Sequence, residues 1–134
     1  MRRVIIVGGP RCGKSTMARQ LRAEGIPTYC GDPVSKVKEP EADVTYLPED
    51  IRWEDQSEWI VNNWFPMPAP WCCEGIVMAR AIRKGHRLGR DELFRGVELK
   101  YTNVPFIMCT PGQIAVIKGV ETVWNEINAR FNGG

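Results

Sequence analysis

The chain has a single histidine, His86, and no two of its cysteines are spaced as C-x-x-C. Its five cysteines, Cys12, Cys30, Cys72, Cys73 and Cys109, are an odd-numbered set. This excludes the usual zinc frameworks, which need paired thiols or thiols joined by closely spaced histidines. Most of these cysteines fall in or beside predicted strands, where a free thiol acts as a small apolar side chain. Such usage fits a reduced, cytoplasmic protein. No apolar run approaches the ~20 residues of a membrane span, so no membrane partner is expected. Residues 1–3 lead into only four strongly apolar positions before Gly8, too few for a secretory signal. An excess of one charge is also missing. Lys and Arg number 18 against 16 Asp and Glu, a formal net charge of +2, which by itself does not indicate a nucleic-acid partner.

What is present is a complete G-x-x-x-x-G-K-[ST] run: Gly8, Gly9, Pro10, Arg11, Cys12, Gly13, Lys14 and Ser15, followed by Thr16. The glycines let successive backbone N–H groups turn inward as an anion nest. A following helix aims the positive end of its dipole at the same point. Lys14 then reaches the terminal phosphates of a nucleotide, and the Ser15 hydroxyl ligates Mg²⁺. The flanks agree with this. Val4-Ile5-Ile6-Val7 reads as a buried parallel strand, and residues 15–24 read as a helix ended by Gly25.

The remaining pattern alternates strands and helices over a length suited to one domain, residues 1–134. Residues 26–30 predict a second strand, and 34–50, with two prolines and many charges, a long functional loop. Residues 51–65 have helical spacing that puts Trp53 and Trp64 in the core and leaves Trp59 off that face, beside a site. Trp71-Cys72-Cys73 begins a third strand. Residues 76–84 predict a helix stopped by Gly85, 86–103 a loop with one helical turn near 91–95, and 104–109 a fourth strand. Thr110-Pro111-Gly112-Gln113 carries the signature of a capping box with proline at the first helical position. A helix to about Arg130 follows. The expected fold is α/β, a three-layer sandwich with a parallel sheet of about four to five strands and helices on both faces.

In an open parallel sheet, ligands gather beyond the carboxyl ends of the strands. Asp32 follows the second strand and suits a base that takes the proton of an attacking hydroxyl. Glu74 follows the third and suits support of Mg²⁺. Residues 51–75 carry a net charge of −3 and residues 76–103 a net charge of +4. Arg80, Arg83 and Arg87 are spaced to share one helical face, with Arg90 and Arg95 beyond. Transferring phosphoryl groups spread negative charge that such arginines stabilise, and Arg83 and Arg87 are the pair assigned to that task.

GGPRCGKST after the first strand, an aspartate after the second and Glu74-Gly75 after the third together resemble the small P-loop kinases. That superfamily includes nucleoside, nucleotide, shikimate and polynucleotide 5′-hydroxyl kinases. Through its EGxxxARAxRK and TPGQ segments the chain is also similar to short virus-encoded P-loop proteins, which act in the host cytoplasm. The resemblance implies ATP and Mg²⁺ as cofactors, Lys14 on the β- and γ-phosphates, Ser15 on the metal, Thr16 near the α-phosphate and Asp32 as base. In such kinases the arginine lid follows the fourth strand. Here the arginines precede it: either the expected lid lies at residues 86–103, or the active site is reduced and binds nucleotide without transferring phosphate. The guanine-reading N-K-x-D signature is absent, which favours ATP. The expected activity is phosphoryl transfer to a small-molecule, nucleotide or 5′-hydroxyl acceptor. The alternative is an NTPase or nucleotide-dependent switch acting through a protein or nucleic-acid partner.

Overall fold

The computed structural model describes residues 1–7, 14–101 and 110–131, with the side chains of Lys14, Ser15 and Tyr101 outside the description. Five strands, β1 (Arg3–Val7), β2 (Thr28–Pro33), β3 (Val44–Leu47), β4 (Trp71–Glu74) and β5 (Glu98–Tyr101), form one sheet in the order β3-β2-β4-β1-β5. Every pairing in it is parallel. β1 lies between β4 and β5, with Ile6 level with Glu74 and Lys100. That placement suits its sequence, because Val4, Ile5, Ile6 and Val7 are all fully buried, as strands covered on both faces must be.

The alternation of side chains divides the interior in two. Ile5, Val7 and Cys73 point into the larger core, with Ile60 of α2 (Gln56–Asn63), Met78 and Ile82 of α3 (Val77–Arg87) and Val120 and Ile127 of α4 (Pro111–Phe131). Val4, Ile6 and Cys72 point the other way, onto Ala18 and Leu21 of α1 (Lys14–Ala23). The protein is therefore α/β with helices on both faces of a five-stranded parallel sheet.

Several expected boundaries shift. Residues 34–50 contain β3, and 86–103 contain β5, both expected as loop. Each is only four residues long. β3 buries only Leu47, and β5 carries Glu98 and Lys100, so neither shows an apolar alternation. The helix expected to stop at Gly85 runs on to Arg87. Gly85 is buried there because Phe94 leaves no room for a side chain: a Cβ would lie 3.0 Å from the Phe94 ring. Trp53 is not a core residue. It lies in a 3₁₀ turn (Trp53–Asp55) before α2 begins, off the helical face that buries Ile60 and Trp64, and is 66% exposed. Trp59 instead packs edge-on against Trp64, with ring centroids 5.5 Å apart. The expected strand at 104–109 lies outside the described residues.

Candidate functional site

The carboxyl ends of β1, β2 and β4 finish level with one another, since Ile6 pairs with Glu74 and Glu74 with Cys30. β1 ends at Val7 and α1 begins at Lys14, so the glycine-rich run lies between them in the sequence. Gly8, Gly9, Pro10, Arg11, Cys12 and Gly13 lie outside the described residues. Thr16 is exposed in the first turn of α1.

Two glycines lock the neighbouring strand ends together. Gly75 has φ +145, and a Cβ on it would stand 3.3 Å from the backbone of Gly31. A Cβ on Gly31 would stand 2.5 Å from Val77 Cγ1. The backbone of Gly31 in β2 and that of Gly75 just after β4 come this close because Gly75 carries no Cβ, and Gly31 in turn leaves room for Val77.

Asp32 belongs to the irregular end of β2, where the register with β3 shifts between Cys30 and Pro33. It is exposed and borders a hollow of ≈ 290 Å³ together with Gly31, Lys36, Trp53, Gln56 and Arg80. Glu74 is buried and borders a smaller cleft of ≈ 70 Å³ on the α1 side, with Arg22, Thr28, Cys30, Glu41 and Tyr46. Desolvation, reinforced by Glu74, raises the Cys30 thiol well above its ordinary range. The same two causes push the Cys72 thiol up to about 12. Desolvation, with Cys72 and Glu74 nearby, raises Cys73 as well. All three thiols are free and buried, so they serve as apolar strand residues.

Arg80, Arg83 and Arg87 do share a face of α3, and Lys84 joins them. With Glu54 and Ser57 they border a hollow of ≈ 160 Å³. Arg80 also reaches the Asp32 hollow and lays its guanidinium over the Trp53 ring, 4.0 Å from the centroid. A further hollow of ≈ 450 Å³ runs from Trp53 and Arg80 to Thr110, Gln113 and Ile117 at the start of α4. Arg80, rather than Arg83 or Arg87, thus shares a hollow with Asp32. Arg90 is tied to Glu92 at 2.8 Å and Arg95 lies over Phe131, so the outer arginines are engaged elsewhere. Trp53 is the functional candidate that sequence spacing misses. It meets Arg80 only in the tertiary fold, through the packing of α2 on α3.

Comparison with protein-family models, with curated proteins and with solved structures gives no match.

Among the described residues, no group of three or more His, Cys, Asp and Glu side chains forms a cage for a metal ion. Mg²⁺ at a nucleotide does not require one, since one or two protein oxygens complete a shell made largely of phosphates and water. Of the two oxygen donors expected from the sequence, Glu74 is buried at the end of β4 on the α1 side of the sheet, and the side chain of Ser15 lies outside the described residues. No helix among the described residues is long and apolar enough to cross a membrane.

Proposed function

We propose that the protein is an ATP- and Mg²⁺-dependent phosphotransferase of the P-loop kinase type. One observation carries this reading: the G-x-x-x-x-G-K-S run stands between a buried parallel strand and a helix that begins at Lys14. Strand, loop and helix in that order are the context in which the motif has chemical meaning. Asp32 and Glu74 at the ends of the next two strands support it further.

Lys14 and the backbone of residues 8–13 hold the β- and γ-phosphates. Ser15 and Glu74 are the oxygen donors toward Mg²⁺, which supplies charge neutralisation on the phosphate oxygens. The acceptor occupies the hollow beside Asp32. Its hydroxyl oxygen bonds to the γ-phosphorus as the bond from phosphorus to the bridging oxygen breaks. ADP leaves, and the hydroxyl proton passes to the Asp32 carboxylate. Arg80 borders that hollow and opposes the charge gathering on the equatorial oxygens. Arg83 and Arg87 lie further along α3 and contribute field rather than contact.

Incubation with γ-labelled ATP, Mg²⁺ and pooled acceptors (nucleosides, nucleotides, 5′-hydroxyl oligonucleotides, hydroxy-metabolites) tests the proposal. Label is expected in one pool and absent with Lys14→Ala. Asp32→Asn is expected to lower transfer by about 10²–10⁴-fold, the usual worth of a general base, with ATP binding retained. Label released only as inorganic phosphate would replace the kinase with an NTPase switch. Full transfer by Asp32→Asn would remove its base.

A further inference from the structure

Most arginines outside α3 hold an acid, whereas the four cations in a row on α3 hold none among the described residues. Arg2 pairs with Glu98, Arg19 and Arg22 with Glu41, Arg52 with Glu54, Arg90 with Glu92 and Arg130 with Asp91. Among the described residues, Arg83, Lys84 and Arg87 have no carboxylate within ion-pair distance, and Arg80 is held only by the Trp53 ring. Arg80, Arg83 and Lys84 are also half-buried. Like charges three and four residues apart repel on a helix, and partial burial strengthens that repulsion. Acids elsewhere on the surface could have been placed to relieve it, but the one bordering carboxylate, Glu54, is already paired with Arg52. The stripe is therefore complementary to an anion that the protein does not itself supply.

The extent of the stripe identifies the kind of anion. Arg80 to Arg87 spans about 10 Å of helix axis, which is about three steps of a stacked strand at ~3.4 Å per phosphate. A single monophosphate fills only one end of it. Three of the four cations are arginine, whose planar fork matches phosphate oxygens better than a lysine point charge does. At one end stands Trp53, 66% exposed with Arg80 on its face. An exposed indole beside a row of cations is the combination that binds single strands, with bases stacked on the ring and phosphates along the charges. Arg80 borders the cation-lined hollow, the Trp53 hollow and the Asp32 hollow, so the three form one path.

We infer that this path binds single-stranded nucleic acid, with a base on Trp53 and its phosphates along Arg80, Arg83, Lys84 and Arg87. Where the phosphotransferase reading also holds, the strand end lies beside Asp32 as acceptor. The binding claim stands without it.

The test is anisotropy of a labelled oligothymidylate octamer, measured without ATP over a salt series from about 50 mM to 200 mM. Binding is expected at low salt, with log K falling against log salt at a slope of about −2, for three phosphates at ~0.7 each. Arg83→Gln with Arg87→Gln is expected to weaken binding at least tenfold and to flatten the slope to about −0.7. Trp53→Ala is expected to cost about fivefold or more with the slope unchanged, while Trp53→Phe keeps most of the affinity. Lys38→Gln, an exposed cation away from the stripe, is expected to change nothing, and circular dichroism of each variant reports folding. Absence of binding at the lowest salt would overturn the inference. So would equal displacement by polyglutamate, which would assign the stripe to an acidic protein, or equal affinity for a blunt duplex. Because no nucleotide is added, failure of phosphoryl transfer leaves these outcomes unaffected.

Discussion

Arg2 and Glu98 meet through two parallel hydrogen bonds, each 2.8 Å, donated by Nε and a terminal nitrogen of the guanidinium. The donated hydrogen bonds, aided by the guanidinium charge, hold the Glu98 carboxyl below the ordinary carboxylate value. A carboxyl lowered in the folded state binds fewer protons there than in the unfolded chain. Its contribution to stability is therefore complete above the unfolded value and is lost as pH falls through the lowered one. Both side chains are more than a third exposed, so screening keeps the contribution small. In a carboxyl-resolved NMR titration, Arg2→Ala is expected to move the Glu98 titration upward, toward the ordinary carboxylate value. At this scale the sequence was legible wherever chemistry is contiguous. The expected helix start at Lys14–Ser15 and the strand ends near Asp32 and Glu74 are where the structure has α1, β2 and β4. The partnership of Trp53 with Arg80 was not legible, since nothing local marks an indole in a 3₁₀ turn as the cover for a guanidinium on another helix.

Among the elements, α3 joins most of the site to the core. Its inner face buries Val77, Met78, Ala81, Ile82 and Gly85, and its outer face carries the cation stripe. Gly85 sets how closely the helix approaches the Asp91–Phe94 turn, because Phe94 packs over it and stacks edge-on with both Phe65 and Trp124. Gly85→Ala places a methyl 3.0 Å from that ring. The expected loss is about 1–3 kcal/mol, as for overpacking generally, despite the better helix propensity of alanine. Urea unfolding with an unchanged slope would verify it. The last turn of α3 is fastened at the same place. His86 faces Asp91 at 2.7 Å and Glu126 at 3.1 Å, while Arg130 reaches the other Asp91 oxygen at 3.1 Å. The start of α4 was readable because a capping box is local: the backbone N–H of Thr110 donates to Gln113 Oε1 at 2.9 Å, and that of Gln113 to Thr110 Oγ1 at 3.1 Å. β3 and β5 were not, because short strands with charged residues owe their place to neighbours rather than to pattern. Gly85 was misleading for a related reason. A glycine that ends a helix and one that admits an aromatic ring look alike in sequence.

At the level of the whole molecule, the net charge of +2 conceals a strong asymmetry. Most arginines outside α3 are paired with local carboxylates, whereas the row of cations on α3 is not. Nucleotide binding is expected to be felt globally as well, because the glycine-rich run bridges β1 and α1, which pack on opposite sides of the smaller core. A ligand that binds only the folded chain adds about 2.7 kcal/mol at a hundredfold excess over its dissociation constant. MgATP is therefore expected to raise the thermal midpoint, and Lys14→Ala to abolish the rise, in a scanning fluorimetry series over nucleotide concentration. The α/β class and the parallel sheet followed from alternation alone, whereas the order of strands followed from contacts between segments far apart in the chain.

That order has a consequence for synthesis. β1 leaves the ribosome well before its sheet partners β4 and β5, which begin only at Trp71 and Glu98. At about 5–20 residues per second, the run Val4-Ile5-Ile6-Val7 waits several seconds without a neighbour. Its β-branched, uncharged composition is that of a segment prone to pair with the wrong chain. The arginines at positions 2 and 3, which later clamp Glu98 and the backbone of Leu93 and Arg95, stand directly before it and repel identical nascent segments during that interval.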